Sequence, residues 1–193
     1  MRVYKATNAD MDCTMGSGRY HYVLGVPATA GNSKCGRAGL HACEYVLDCT
    51  GYYGLGVSNR FFVAEASGDI AEDGENTRIA CTELTLVQEL DIRGITAHAI
   101  MYMAEHPRRE GWEKEGFLLE AKRDRAEARH SGAIAIARGE RPLVRGTEGA
   151  CLGLVQEENG EITDARLLTA GRRGIKPHTW YTLADGIPRE VSG

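Results

Sequence analysis

Two alternating runs on either side of one turn place the strongest limit on how this chain folds. In "NRFFVAEASGDI", from residue 59, Phe62, Ala64 and Ala66 alternate with Phe61, Val63 and Glu65. After the turn "AEDGEN" the stretch "TRIACTELTLVQEL" alternates again. A period of two sends successive side chains to opposite faces of an extended chain, so both runs predict long strands. "RVYKAT" alternates Val3 and Lys5 against Tyr4 and Ala6 and predicts a first strand, with "RYHYVLGV", after the glycine-rich "MGSG", as its hairpin partner.

Helical spacing appears twice. In "HACEYVLDC", Ala42, Val46 and Cys49 lie about one turn apart, which predicts a two-turn helix. "DIRGITAHAIMYMAEH" predicts a longer one, with Asp91 as N-cap, Ile92, Ile95, Ala99 and Met103 on one face and Pro107 as the stop. Gly94 weakens it by roughly 1 kcal/mol relative to alanine. Residues 108–130 hold seven basic and six acidic residues with few apolar ones, which suits an exposed, charged helical linker. From Ser131 onward short β-runs are cut by glycines. The expected class is α+β: an antiparallel sheet with two helices, followed by a C-terminal β-meander or short β-coil region. The expected domains are 1–107, a linker at 108–130, and 131–193.

Composition narrows the function classes. With 42% hydrophobic and 26% charged residues the 193-residue chain has ordinary globular usage. It contains no run of eighteen apolar residues, and "MRVYKATNADMD" lacks the apolar core of a signal peptide, so a cytoplasmic protein with no membrane partner is expected. A formal net charge of -4 argues against nucleic acid as a partner, because phosphate binding draws on a surplus of Lys and Arg. Six scattered cysteines read as reduced thiols, most of them small core residues.

The stretches "VYKATNADMDC", "CGRAGLHACEYVLDCTGYY", "NRFFVAEASGDI" and "GIKPHTWYTLADG" carry a resemblance. A tyrosine-lysine opening strand, a G-[FL]-H-x-C-E segment leading to a double tyrosine, and a TWY hairpin resemble a family of uncharacterised proteins from phages, prophages and gut bacteria that carry a domain of unknown function. Many such proteins insert glycine-, serine- and alanine-rich repeats before the last hairpins. Here only "HSGAIAIARGERPLVRGTEG" stands in that place. The resemblance implies an architecture and a mobile-element setting, and no reaction.

Chemistry therefore has to come from residues. Cys35, His41, Cys43 and Cys49 carry the atoms of a Cys3His zinc site, but there is no C-x2-C pair, so core thiols and a hydrogen-bonded histidine are expected, with no metal and no cofactor. Tyr4, Lys5, His41, Tyr52, Tyr53 and Glu65 occupy stations loosely comparable to those of an NAD-binding, ADP-ribosyl-transferring cleft. "GRRG" offers Arg172 and Arg173 at a hairpin tip, beside Lys176 and Trp180, and suits phosphates and stacked bases; Arg60 joins such a patch only if the hairpins fold back. No hydrolase or phosphate-loop motif occurs, and the acidic "DGE" at 73–75 reads as a hairpin tip. His98 and His106, eight apart on the long helix, make no site alone.

The leading expectation is a phage-associated, non-catalytic binding protein that captures a small anionic molecule such as a nucleotide, or a host protein. Its expected ligand-binding residues are Arg172, Arg173, Lys176, Trp180, His41, Tyr52, Tyr53 and Arg60, with no catalytic set. The alternatives are an enzyme acting on NAD or a nucleotide, and a structural or interaction module. Open β-edges in the C-terminal third suggest a homo-oligomer.

Overall fold

The computed structural model describes residues 1–14, 18–74 and 76–191. Residues 15–17 of the expected "MGSG" turn and Glu75 of the "AEDGEN" and "DGE" turn lie outside the described residues. The chain is mostly β, 53% strand and 11% helical, with three sheets and one helix of seven or more residues among the described residues. This corrects the α+β expectation with two helices. Two compact units divide it, Met1–Asp91 and Ile92–Gly193.

The first unit contains β1 (Arg2–Asn8), β2 (Asp12–Cys13), β3 (Tyr20–His21), β4 (Ala28–Thr29), β5 (Leu40–Cys43), a 3-10 helix (Val46–Gly51), β6 (Asn59–Glu72) and β7 (Arg78–Leu90). The two alternating runs are the hairpin β6–β7, in which Phe61 faces Leu90 and Glu72 faces Ile79. β1 pairs antiparallel with β6 and β5, and β5 pairs with β7, so the four strands close into a ring with β4 added on β7. Closure leaves few open edges and surrounds a core that includes Val3, Phe62, Ile79, Leu84 and Leu86. β6 bends at a bulge around Gly68, whose φ of 71° admits glycine and whose missing Cβ leaves room for Thr82 Oγ1.

Two local expectations fail here. Tyr20–His21 does not pair with the first strand; it forms a two-residue ribbon with Asp12–Cys13. The segment expected as one helix divides: Leu40–Cys43 is strand, and only Val46–Gly51 turns, as a 3-10 helix. The reason is tertiary. Leu40, Ala42 and Cys43 are buried in a strand held between β1 and β7, and that pairing outweighs a weak helical period.

The second unit holds α1 (Ile92–Glu105), β8 (Lys114–Gly116), β9 (Leu119–Ala128), β10 (Ile134–Gly146), β11 (Cys151–Glu158), β12 (Glu161–Thr169), β13 (Trp180–Ala184) and β14 (Ile187–Val191). α1 buries Ile95, Ala99, Ile100 and Met103 on one face. The stretch expected as a helical linker is instead β8 and β9. β9, β10 and β11 run parallel, with Ile134 facing both Leu119 and Cys151. Parallel neighbours ordinarily need a long crossover. Here β9 and β10 pair in two stretches, 119–123 with 134–138 and then 125–128 with 143–146 after a register shift. The interior of this coil is narrow and filled by Ala126, Ala128, Ala135, Ala137 and Ala150 with Leu152 and Leu154. No helix among the described residues is long and apolar enough to cross a membrane.

A cationic, tyrosine-lined candidate binding cleft

The first unit carries a cavity of about 640 Å³, within the span of roughly 300–1,000 Å³ usual for small-ligand sites. β1 contributes Tyr4 and Lys5, β5 contributes His41, the exit of the 3-10 helix contributes Tyr52 and Tyr53, and the start of β7 contributes Arg78. Tyr20, Tyr22, Arg19 and Arg37 complete the charged and aromatic lining. No Asp or Glu occurs among the described lining residues. A chain of net charge -4 thus presents a locally positive cleft.

Lys5 is the most constrained of its cations. It is 6% exposed, and its Nζ donates to the His41 carbonyl oxygen at 2.7 Å and to Cys13 Sγ at 3.5 Å, with the Tyr22 ring centroid 5.4 Å away. Among the described residues no carboxylate lies within ion-pair distance of it. Burying an ammonium beside a carbonyl, a thiol and a ring leaves its charge uncompensated, and an anion in the cleft would supply the missing partner. The other two anchored cations differ. Arg19 is paired with Asp12, which is 1% exposed and also contacts His21 Nδ1 at 3.0 Å; the Arg19 contact holds the Asp12 carboxyl below its usual range. Arg78 is paired with Asp73 and donates to the Tyr52 hydroxyl at 3.3 Å.

His41 stands as a neutral imidazole. The Gly36 N–H donates to its Nε2 at 2.9 Å, which requires that nitrogen to be unprotonated. Burial first, then the charges of Lys5 and Arg78, hold its pKa below the ordinary value. It acts as a latch on the 36–39 segment that forms one wall. Tyr53 accepts the Thr14 N–H at 2.9 Å and so ties the chain after β2 to the helix exit. Burial pushes the Tyr22 and Tyr52 phenols up, which keeps both rings neutral.

The cleft therefore gathers His41, Tyr52 and Tyr53 from the residues expected in the sequence, and joins to them Lys5 and Tyr4 of the transferase analogy. Glu65, the remaining member of that analogy, is exposed on β6 opposite Arg2 and Thr85, and does not line it. Arg60 is held by Glu89 through two hydrogen bonds of 2.8 and 2.6 Å and also lies outside the lining. Arg172, Arg173, Lys176 and Trp180 belong to the second unit. Arg172 and Arg173 are exposed in the turn before β13, while Lys176 is paired with Glu190 at 2.9 Å. The Arg125 and Arg145 guanidinium groups sit 4.0 and 4.7 Å from the Trp180 ring centroid, so cations already cover the surface expected to stack a base. Among the described residues no three His, Cys, Asp or Glu side chains gather as a metal-ligand set. Arg78, Arg19, Arg37 and Tyr22 escaped the sequence reading because nothing in their local pattern marks them. Lys5 did leave a signal, as a charge at a position that alternation assigns to a buried face.

No curated protein and no solved structure matches the chain. A family model described as a domain of unknown function, DUF7666, matches residues 1–98. That span is half of the chain and contains every residue that lines the cleft, and the protein accordingly belongs to the DUF7666 family.

Proposed function

We propose that the cleft of the first unit captures a small anionic molecule with a planar ring, a nucleotide being the natural type, and releases it unchanged, and that phages and related mobile elements use the protein in this way. The mobile-element setting rests on the sequence resemblance alone. The capture reading rests on one observation above the rest: the Lys5 ammonium, 6% exposed, has no carboxylate partner among the described residues and lines a cavity of about 640 Å³. Tyrosine rings offer faces for a base, and the exposed guanidinium group of Arg37 offers donors to phosphate oxygens.

Capture is favoured over turnover by two observations. His41 spends its acceptor nitrogen on Gly36, and Glu65 does not reach the cleft, so a proton-transfer pair beside the ligand is not assembled from the residues that the transferase analogy requires. Isothermal titration calorimetry of the full chain against AMP, cyclic AMP, NAD and inorganic phosphate tests the reading, with mass spectrometry of the recovered compound. Saturable binding of an intact nucleotide, lost in Lys5→Gln, is expected. Cleavage of the nucleotide would move the assignment to an enzyme, and no binding by any member of the panel would move it to a protein partner.

A further inference from the structure

The six cysteines are not equivalent. Cys43, Cys49, Cys81 and Cys151 are buried, whereas Cys13 and Cys35 keep part of their surface in solvent. Contact with the Cys43 thiol, then burial, pushes the Cys49 thiol up, and burial does the same to Cys81 and Cys35. The Cys35 thiol also sits 3.6 Å from the Arg78 carbonyl oxygen, a contact that keeps its proton. Cys13 alone combines access from the cleft with an ammonium at 3.5 Å.

From this geometry we propose that Cys13 is a modification site: a thiolate poised by Lys5 that reacts with hydroperoxides and with alkylating carbon electrophiles ahead of the other five cysteines. The groups facing it support the assignment. Lys5 approaches from β1 and donates to the sulfur. Arg19 and His21 take both oxygens of Asp12, its neighbour on β2. Tyr20 lies opposite Cys13 on β3, Tyr22 follows, and the Tyr53 hydroxyl takes the adjacent Thr14 N–H. A thiolate is the nucleophilic form, and a neighbouring cation is the usual means of raising its share at neutral pH. With iodoacetamide the S–C bond forms as the C–I bond breaks and iodide leaves. With a hydroperoxide the S–O bond forms as the O–O bond breaks; sulfur is oxidised to the sulfenic acid, the peroxide is reduced, and the departing hydroxide or alkoxide takes a proton from water.

The test is alkylation of the folded full-length protein by iodoacetamide at neutral pH, with the sites mapped by peptide mass spectrometry against time. Cys13 is expected to react at least about tenfold faster than Cys35, with a pH–rate midpoint below about 8.5. Lys5→Met should slow Cys13 to the rate of an ordinary thiol, and Lys5→Arg should keep it fast. A midpoint at or above the ordinary value, or a rate no greater than that of Cys35, overturns the assignment. The wild-type pH profile decides the matter even if a Lys5 variant does not fold. The two readings share Lys5, but their tests separate them: a protein that binds no anion and still labels first at Cys13 retains this site.

Discussion

One oxygen of Asp48, Oδ2, accepts both the backbone N–H and the hydroxyl of Thr77, at 2.9 and 2.7 Å. Thr77 in turn accepts the Tyr45 N–H on its hydroxyl at 2.9 Å and the Glu44 N–H on its carbonyl at 3.0 Å. Both side chains are buried, and together they fasten the 3-10 helix, with Tyr52 and Tyr53 behind it, to the start of β7. Asp48→Ala leaves the Thr77 donors without this acceptor inside the fold and is expected to cost about 1.5–3 kcal/mol. Urea denaturation should show a lower midpoint with an unchanged slope.

His41 makes stability depend on pH. Its folded pKa lies below the ordinary 6.5, so between those two values the unfolded chain binds more protons than the folded one. Its contribution is complete above the unfolded value and is lost as pH falls toward the folded one. Thermal melts from about pH 7 to about pH 5 should show Tm falling on acidification, and His41→Gln, which keeps an acceptor for the Gly36 N–H, should show a shallower fall. Parallel slopes in the two proteins would exclude the latch.

In the second unit Arg138 is 2% exposed, paired with Glu157, and donates to the Pro107 carbonyl oxygen. Arg138→Met strands the Glu157 carboxylate, whose side chain is only 16% exposed. The expected cost is about 3 kcal/mol, the low end for breaking a buried pair. The double variant Arg138→Met with Glu157→Leu should recover most of that loss, and a double-mutant cycle measures the coupling.

Gly153 sits where α1 meets the coil. A Cβ there would lie 3.0 Å from both Ile100 Cδ1 and Ile136 Cγ1. Gly153→Val is expected to destabilise by about 1–3 kcal/mol through overpacking, while Gly153→Ala costs less. Calorimetric melts of the two variants should fall in that order.

The long elements were legible because a clear period runs through the middle of each. β6 alternates from Phe62 to Ser67 and β7 from Glu83 to Val87, and α1 repeats its apolar face up to Met103, so local pattern and final structure agree there. β9 is the opposite case. "LEAKRDRAEA" is composed of good helix formers, and its buried positions shift from Leu119 and Ala121 to Ala126 and Ala128 across Asp124, which sits at a φ of 58°. That break hides the alternation, and only pairing with β10 makes the segment a strand.

The cleft divides in the same way. By itself the sequence determined its aromatic rim, since His41, Tyr52 and Tyr53 stand within one short stretch whose residue types already mark a pocket edge. Tertiary structure decided its charge. Lys5, Arg19, Arg37 and Arg78, the first and last 73 residues apart, line one cleft because β1, β5, β6 and β7 pair in a ring, and whether a cation is compensated depends on which carboxylates the fold brings near it. Arg19 and Arg78 acquired Asp12 and Asp73 in this way, whereas Lys5 acquired a carbonyl and a thiol. Coulombic partnership acts over a few ångströms of space and is indifferent to separation along the chain, so the local pattern marks Lys5 as a charge at a buried position but does not tell which of these three cations goes without a carboxylate.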